Sequence, residues 1–517
     1  VTVLTGAGIG FAIGLMLFFF LLNFFGIRLL GEWNRWFTWW KFIIPIVTFC
    51  MLFLAFRGSN FTALPGGFFP EGAGNIFVAM STGGVIFAFL GFRQALDYAG
   101  ESKRPQRDVP LATISAVVIA VIMYALLQIG LVGALNWGSA GLHIGNWGGF
   151  TGSKWGATPL YSALQASGIG ALLTFSTFLL VDAGLSPTGT GWIYLGTSAR
   201  TNYGLGVNGY GPKGLQWHNK WGIPWLSLII ALVIGCAFFV PAPSWYKLVG
   251  FITSTTVLTY IMGGLGVPVF RKYAGSLRRP FRLGWASLFA PLGFIAAAML
   301  VFFSTFSTLA SVYGAVFIGM PLFAWYFAIK KGWAKALPAT ILGVVFLGGW
   351  IYLNYMGGWV LRVKPPVKGA WGFGAYDIAL SAAVIFFCVG LWLISNGEGR
   401  KHVSHTAWFF FMLLAMFPVE YYTTDVGGPK NPPIAFGWGA LIAVGIAIVA
   451  YYWGVASGFE TEELAEIVRN EGAAAARAAA APGAPVGGGA GQGGQSLPST
   501  STMSGTDPES RRPGPGS

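Results

Sequence analysis

Thirteen apolar stretches, most of them about twenty residues long, recur between residues 3 and 457, and they constrain this chain more than any other feature. The hydrocarbon core of a bilayer is about 30 Å thick, and a helix rising about 1.5 Å per residue needs roughly 20 apolar residues to cross it. Mean hydropathy is +0.65 and only 9% of the residues are charged, where a water-soluble domain carries about a quarter. The two-residue alternation of a membrane barrel is absent, so the stretches read as α-helices. They fall near residues 3–27, 37–56, 75–98, 109–135, 167–200, 222–241, 245–270, 283–304, 306–329, 337–356, 374–396, 405–423 and 434–457. The stretch at 167–200 is too long for one simple crossing, and Pro187 within it predicts a bend or a partly cytosolic end.

Loop charge orients these spans. One set of alternate loops, running from Arg28 to Lys401, holds 18 Lys and Arg; the other, from Arg57 to Lys430, holds seven. Cytoplasmic loops collect the excess, so the first set is assigned to the cytoplasm. The net charge of +14 follows from this asymmetry. Scattered between spans, it offers no single basic surface to a nucleic acid. In the loop at 136–158, Trp137, Trp147 and Trp155 read as an interfacial belt. A short surface helix is expected over residues 460–481, within a cytoplasmic tail (460–517) whose Ala, Gly, Pro and Ser content predicts disorder. Cys50, Cys236 and Cys388 lie in apolar segments as small hydrophobes. No Met stands at position 1 and a span opens within three residues, which reads as a chain whose beginning lies upstream; no signal peptide is visible.

The strongest local signal is FAFLGFRQALDYAGESKRPQRDVPLA, residues 87–112. An apolar helix is interrupted at Gly91 between aromatics, and Arg93, Asp97 and Glu101 follow at i, i+4, i+8. An unwound stretch of membrane helix frees backbone groups, which is tolerated only where they line a cavity or bind a ligand. Freed carbonyls can hold an ammonium group while Phe87, Phe89 and Phe92 wall a small solute. Against this stands a plainer reading, in which Gly91 permits close helix packing and Arg93 pairs with Asp97. The residues alone leave the two open.

Residues 87–112 closely resemble the sixth-helix signature of the amino acid–polyamine–organocation (APC) superfamily. LNFFGIRLLGEWNRWFTWWK (22–41) resembles the junction of that family's fourth and fifth helices, SPTGTGWIYLGTSARTNYGLGVNGYGP (186–212) its eighth helix and following loop, and WHNKWGIP (217–224) the entry to its ninth. Four ordered matches over about 200 residues are more specific than any one motif. The sequence departs from the pattern at Arg104, where Asn is usual, at Arg93, where an acidic or neutral residue is common, and at Asn208, near a usual Arg-Asp. The resemblance implies an all-α polytopic membrane protein with a five-plus-five inverted repeat, its first repeat incomplete because the first span here matches the family's fourth. It implies a substrate held between unwound stretches of the first and sixth helices, with Phe87, Ala88, Phe89, Leu90, Gly91 and Phe92 as this chain's share. Residues 1–336 would match family helices 4 to 12, and 337–459 would add about four spans. TGAGIGFAIG (5–14) looks like a carboxylate-binding loop, but Gly6, Gly10 and Gly14 read better as a packing stripe.

Ionisable residues inside spans are costly and count as functional candidates. Lys41 lies about six residues into its predicted helix; snorkelling to the cytoplasmic face is the alternative. In some members of the superfamily a matching Lys takes the place of a sodium ion, so the resemblance suggests a proton-coupling role. Asp182, Ser186 and Thr190, four apart, would share one helix face as a Na⁺ site or as partners of Lys41; the alternative is a helix end at Asp182 with a new turn opening at Ser186 and Pro187. His402 and His405 read as solvated loop residues without a third metal ligand. No phosphate-binding loop and no hydrolase motif appears, so an enzyme is not expected. The expected function is secondary transport of amino acids or related amines, driven by a proton gradient in preference to sodium and requiring no cofactor. The alternatives are a Na⁺-coupled symporter and a transport-inactive subunit or sensor. Expected partners are the small-molecule substrate and membrane lipid, with no nucleic acid; a homo-oligomer is left open.

Overall fold

The computed structural model describes residues 4–25, 27–62, 73–82, 84–239, 245–277, 279, 281–357, 371–423, 428–461 and 464–471. Each of the thirteen apolar stretches contains an α-helix. These are α1 (Gly6–Phe24), α2 (Ile27–Leu54), α3 (Ala73–Thr82), α4 (Pro105–Ala134), α5 (Gly170–Val207), α6 (Trp225–Ala237), α7 (Trp245–Tyr273), α8 (Ala286–Phe302), α9 (Phe306–Leu322), α10 (Ala336–Gly357), α11 (Phe373–Ile394), α12 (Ala407–Thr423) and α13 (Phe436–Ala456). Ten spans among the described residues are long and apolar enough to cross a membrane; α6 and α8 are shorter apolar helices, and α3 is the start of a broken one. No strand occurs among the described residues.

Outward faces carry large apolar side chains: Leu111, Ile114, Val118 and Ile122 on α4 and Leu337, Ile341 and Val344 on α10 are all exposed. A soluble protein rarely tolerates such continuous apolar surface, whereas lipid receives it at no cost. Inside, one core joins α7, α8 and α9 to the four C-terminal helices through Phe294, Phe302, Tyr313, Phe317, Tyr376 and Phe417. A smaller core joins α1, α5 and α6 around Phe19, Trp192 and Leu228.

Several expectations change on folding. Pro187 does not interrupt α5: the helix runs on for 38 residues, about 57 Å at 1.5 Å per residue and well beyond one bilayer core, as the length of the stretch implied. Pro removes one intrahelical bond, and the remaining backbone bonds on either side carry the helix past it. Trp137 and Trp155 are buried (4% and 7% exposed) under the short helices that cap α4 and α5, with Leu52, Ala163 and Leu172, and so are core residues. Among the described residues the stripe Gly6, Gly10 and Gly14 meets no neighbour, since a Cβ at any of them would find nothing within 4 Å. His402 and His405 belong to a helix, Gly397–His405, where His402 stacks on Trp333 at 4.1 Å and His405 Nδ1 contacts the Ser457 carbonyl; they are packed groups rather than solvated ones. Cys50, Cys236 and Cys388 are free thiols.

Residues 461–517 form a separate unit. Its described part is a short helix over 464–471, with Thr461 Oγ1 accepting from the Leu464 amide. The rest of the expected 460–481 helix and of the tail lies outside the described residues.

Candidate functional site

The broken helix begins with α3 and changes character before residue 87. The break precedes Gly91: by Gly84 the backbone has left the helix at φ +86°, a conformation that costs an L side chain about 1–2 kcal/mol. Gly83 and Gly84 stand together in the sequence, and two such residues break a helix more readily than Gly91 alone. Ser81, buried just before the break, donates to the Leu300 carbonyl of α8 at 2.8 Å.

Residues Phe87–Arg93 then form a 3₁₀ helix, continued by a short α-turn at Gln94–Asp97. With three residues per turn, side chains at i and i+3 eclipse. Phe87 and Leu90 therefore share a face, and both pack into the main core, Leu90 at 4% exposure. Phe89 meets the Tyr124 ring of α4 edge-on at 5.4 Å, and Phe92 meets the Tyr260 ring of α7 at 5.2 Å. The two hydroxyls reach the segment's carbonyls, Tyr124 donating to Ala88 at 3.4 Å and Tyr260 to Leu90 at 3.5 Å. Ala88 and Gly91 make up the remaining face. Both are exposed, and among the described residues a Cβ on Gly91 would meet nothing within 4 Å, so no described helix packs closely at this glycine. Arg93 and Asp97 do pair, Nε to Oδ2 at 3.6 Å.

The second group of predicted residues comes together between α2 and α5. Lys41 Nζ donates to Thr190 Oγ1 at 2.6 Å, and Trp40 Nε1 donates to Asp182 Oδ1 at 2.7 Å. Lys41 feels the Asp182 charge through space without entering ion-pair distance. Asp182 lies within the continuous α5, not at a helix end. Ser186 offers its carbonyl to the Thr190 hydroxyl at 3.3 Å, and its own hydroxyl enters no hydrogen bond among the described residues. Since α2 begins at Ile27, Lys41 sits midway along the helix rather than near its entry.

The α5 rod connects this cluster to the broken helix. Ten residues beyond Thr190, Arg200 lies over the Tyr98 ring at 4.2 Å, just past the 3₁₀ segment. A Cβ on Gly196 would come within 2.6 Å of Asn23 Oδ1 and 2.7 Å of the Tyr98 hydroxyl, so the three elements meet at a residue with no side chain. Asn23 Nδ2 donates to the carbonyls of Phe19 and Trp192, and Asn219 Nδ2 donates to that of Phe24. Trp221 packs edge-on against Phe24 and Phe25. Residues 22–25 and 217–224 thus clamp α1 to the α5–α6 connection. Sequence reading missed the bracing pair Tyr124 and Tyr260, which carry no signature within their own spans. It also missed Trp40, whose indole reads as one more apolar group beside Lys41.

The Amino acid permease family model matches residues 4–335. The chain belongs to that family, and so to the APC superfamily. This permease is an all-α, multi-pass membrane protein of a transporter family, not an enzyme. It is 29% identical over 466 residues to the glutamate/serine transporter AimA of Bacillus subtilis (strain 168), covering 89% of this chain and 72% of that one. It is 30% identical over 424 residues to the aspartate-proton symporter of the same organism, covering 80% and 72%. A shorter match, 29% over 279 residues and 48% of each chain, is to the proline-specific permease of Emericella nidulans. No solved structure matches the chain.

Proposed function

We propose that this permease carries amino acids across the cell membrane by alternating access, with the solute against the Ala88–Gly91 face and a proton as the coupling ion at Lys41. The observation that carries the reading is the open small-residue face of the 3₁₀ segment. Its other faces are held by Phe87, Leu90, Tyr124 and Tyr260, so the open one is fixed in position. A preorganised segment of this kind can offer backbone groups to an ammonium or carboxylate without paying to order them on binding. Arg93 at the end of the segment is partly exposed, with 32% of its side chain accessible. It supports a polar or acidic amino acid as substrate, in keeping with the glutamate, serine and aspartate in the relatives' names.

At the coupling cluster, the Lys41 ammonium donates to Thr190, whose hydroxyl in turn donates to the Ser186 carbonyl, and a sodium ion bound among these groups and Asp182 would compete with it. Two cations do not share such a place, which favours proton over sodium coupling. Loss of the Lys41 proton would remove the charge that strengthens its bond to Thr190, loosening α2 against α5. Because α5 also holds Tyr98 through Arg200, a shift there reaches the exit of the broken helix.

The test is uptake of labelled glutamate, aspartate, serine and proline into proteoliposomes holding the full gene product, under an imposed pH gradient or an imposed Na⁺ gradient. Uptake driven by the pH gradient and abolished in Lys41→Met supports the reading. Uptake driven by Na⁺ alone moves the coupling role to Asp182 and Ser186. No uptake under either gradient overturns it in favour of a transport-inactive subunit.

A further inference from the structure

Between Arg271 and Arg282, where α7 passes into the connection to α8, five of twelve residues are Lys or Arg and none is acidic. The bias of cytoplasmic loops toward Lys and Arg accounts for that charge but not for where the side chains go. Arg271, Arg279 and Arg282 all line one groove of about 850 Å³, whose wall is otherwise largely apolar, from Met262, Val267 and Phe270 of α7 to Leu283.

The groove follows one face of α7. Residues 262, 263, 266, 267 and 270 recur at helical spacing, on the side turned away from the core that buries Ile261 and Leu265. Two neighbouring glycines mark the two sides. A Cβ on Gly264 would strike the Ala290 carbonyl of α8 at 2.7 Å, so that glycine lets the two helices close. A Cβ on Gly263 would meet nothing within 4 Å among the described residues, so that glycine leaves the groove open. Met262 and Phe270 are 47% and 53% exposed. They stand eight residues apart, about 12 Å along the helix, so the groove leads from the basic end of α7 into the depth of the hydrocarbon.

The guanidinium groups are held in place with N–H groups to spare. Arg271 Nη2 donates to the Leu283 carbonyl at 2.7 Å, and Arg279 Nη2 donates to the Phe270 carbonyl at 2.9 Å and to that of Ala274. A guanidinium carries five N–H donors, so both keep others for an anion. Arg282 is exposed and enters no hydrogen bond among the described residues. Side chains already fixed lose little freedom on binding, and their planar fork suits phosphate oxygens. Trp285, 79% exposed at the start of α8, places this end of the groove at headgroup level, where indole rings collect.

We propose that this groove binds an anionic phospholipid, its phosphate against Arg271, Arg279 and Arg282 and an acyl chain along the Met262–Phe270 face of α7. A soluble anion would use the arginines and leave the apolar wall bare. A phospholipid of no net charge would cover the wall but bring a cationic group up to three guanidiniums, where an anionic headgroup is attracted. The bound lipid fastens the connection between α7 and α8 to the membrane surface. The site stands apart from Lys41 and the broken helix and does not depend on the reading of either.

Native mass spectrometry of the full gene product, released from detergent containing phosphatidylglycerol or phosphatidylcholine, tests this alongside thermal unfolding in the same mixtures. Expected is preferential retention of phosphatidylglycerol, with a higher unfolding temperature in its presence. Arg271→Gln and Arg282→Gln should each weaken that retention about fivefold. Gly263→Leu, whose side chain enters open groove, should weaken it without lowering the unfolding temperature of the lipid-free protein. Equal retention of the two lipids overturns the proposal, as does retention of phosphatidylglycerol unaltered in all three variants. Protection by inorganic phosphate equal to that by phosphatidylglycerol also overturns it, and makes this a soluble-anion site. A changed oligomeric state in the variants with lipid retention unaltered gives the groove instead to a second copy of the chain. Arg271→Gln also loses the bond to Leu283; Arg282→Gln and Gly263→Leu remove no bond among the described residues and keep the test decisive should that variant fail to fold.

Discussion

Replacing Gly91 separates a residue that lines a substrate path from one that permits helix packing. A Cβ at Gly91 meets nothing within 4 Å, so Gly91→Ala should cost no packing energy. It should leave stability unchanged or raise it by about 0.5–1 kcal/mol, because the unfolded chain loses freedom. Gly91→Leu extends the same test, filling the open face with about four carbons and leaving the core side at Phe87 and Leu90 untouched. Gly133 is the contrasting control, since a Cβ there would sink into the Phe56 ring. Overpacking of this kind costs about 1–3 kcal/mol. The assay pairs thermal unfolding of purified protein with initial uptake rates over a substrate range. Gly91→Leu should unfold like the wild type but show at least a tenfold loss in uptake efficiency, equivalent to about 1.4 kcal/mol. Gly133→Ala should show the reverse, a lowered unfolding temperature with uptake per folded molecule preserved. The reasoning is refuted if Gly91→Leu destabilises as Gly133→Ala does, or if it transports normally.

Gly84→Ala should lower stability by about 1–2 kcal/mol through its positive φ alone, visible as a drop in unfolding temperature. Tyr124→Phe and Tyr260→Phe each remove one weak hydrogen bond to the 3₁₀ segment, so stability should change by less than about 1.5 kcal/mol while substrate affinity falls; unchanged affinity in the double variant would argue against a braced segment. Asn23→Leu removes two side-chain hydrogen bonds from a buried junction between α1 and α5, so thermal unfolding should register a loss of about 1–3 kcal/mol with no change in ion coupling.

The helices were legible because bilayer thickness writes itself into the sequence as a fixed length of apolar residues. Even the least regular stretch, at 405–423, is a helix with its buried face on Trp408, Met412, Met416 and Phe417. The four motif blocks were legible because their residue types recur in order, although residues 22–25 and 217–224 proved to clamp helices together. Lys41 and Thr190 were legible as polar groups in apolar helices. The break in the third span was misplaced at Gly91 because the aromatic motif drew attention from Gly83 and Gly84.

The sequence by itself determined that the chain is an all-α membrane protein, where its helices lie, and which polar side chains sit at membrane depth. Each of these follows from local composition measured against the thickness of a bilayer. Only the tertiary structure decided that Lys41 bonds Thr190 while Trp40 holds Asp182, and that Gly91 faces open space among the described residues. These pairings join residues more than a hundred positions apart on different helices. Helix rotation and crossing geometry choose among such pairs, and both are set by the interlocking of whole faces rather than by any one residue.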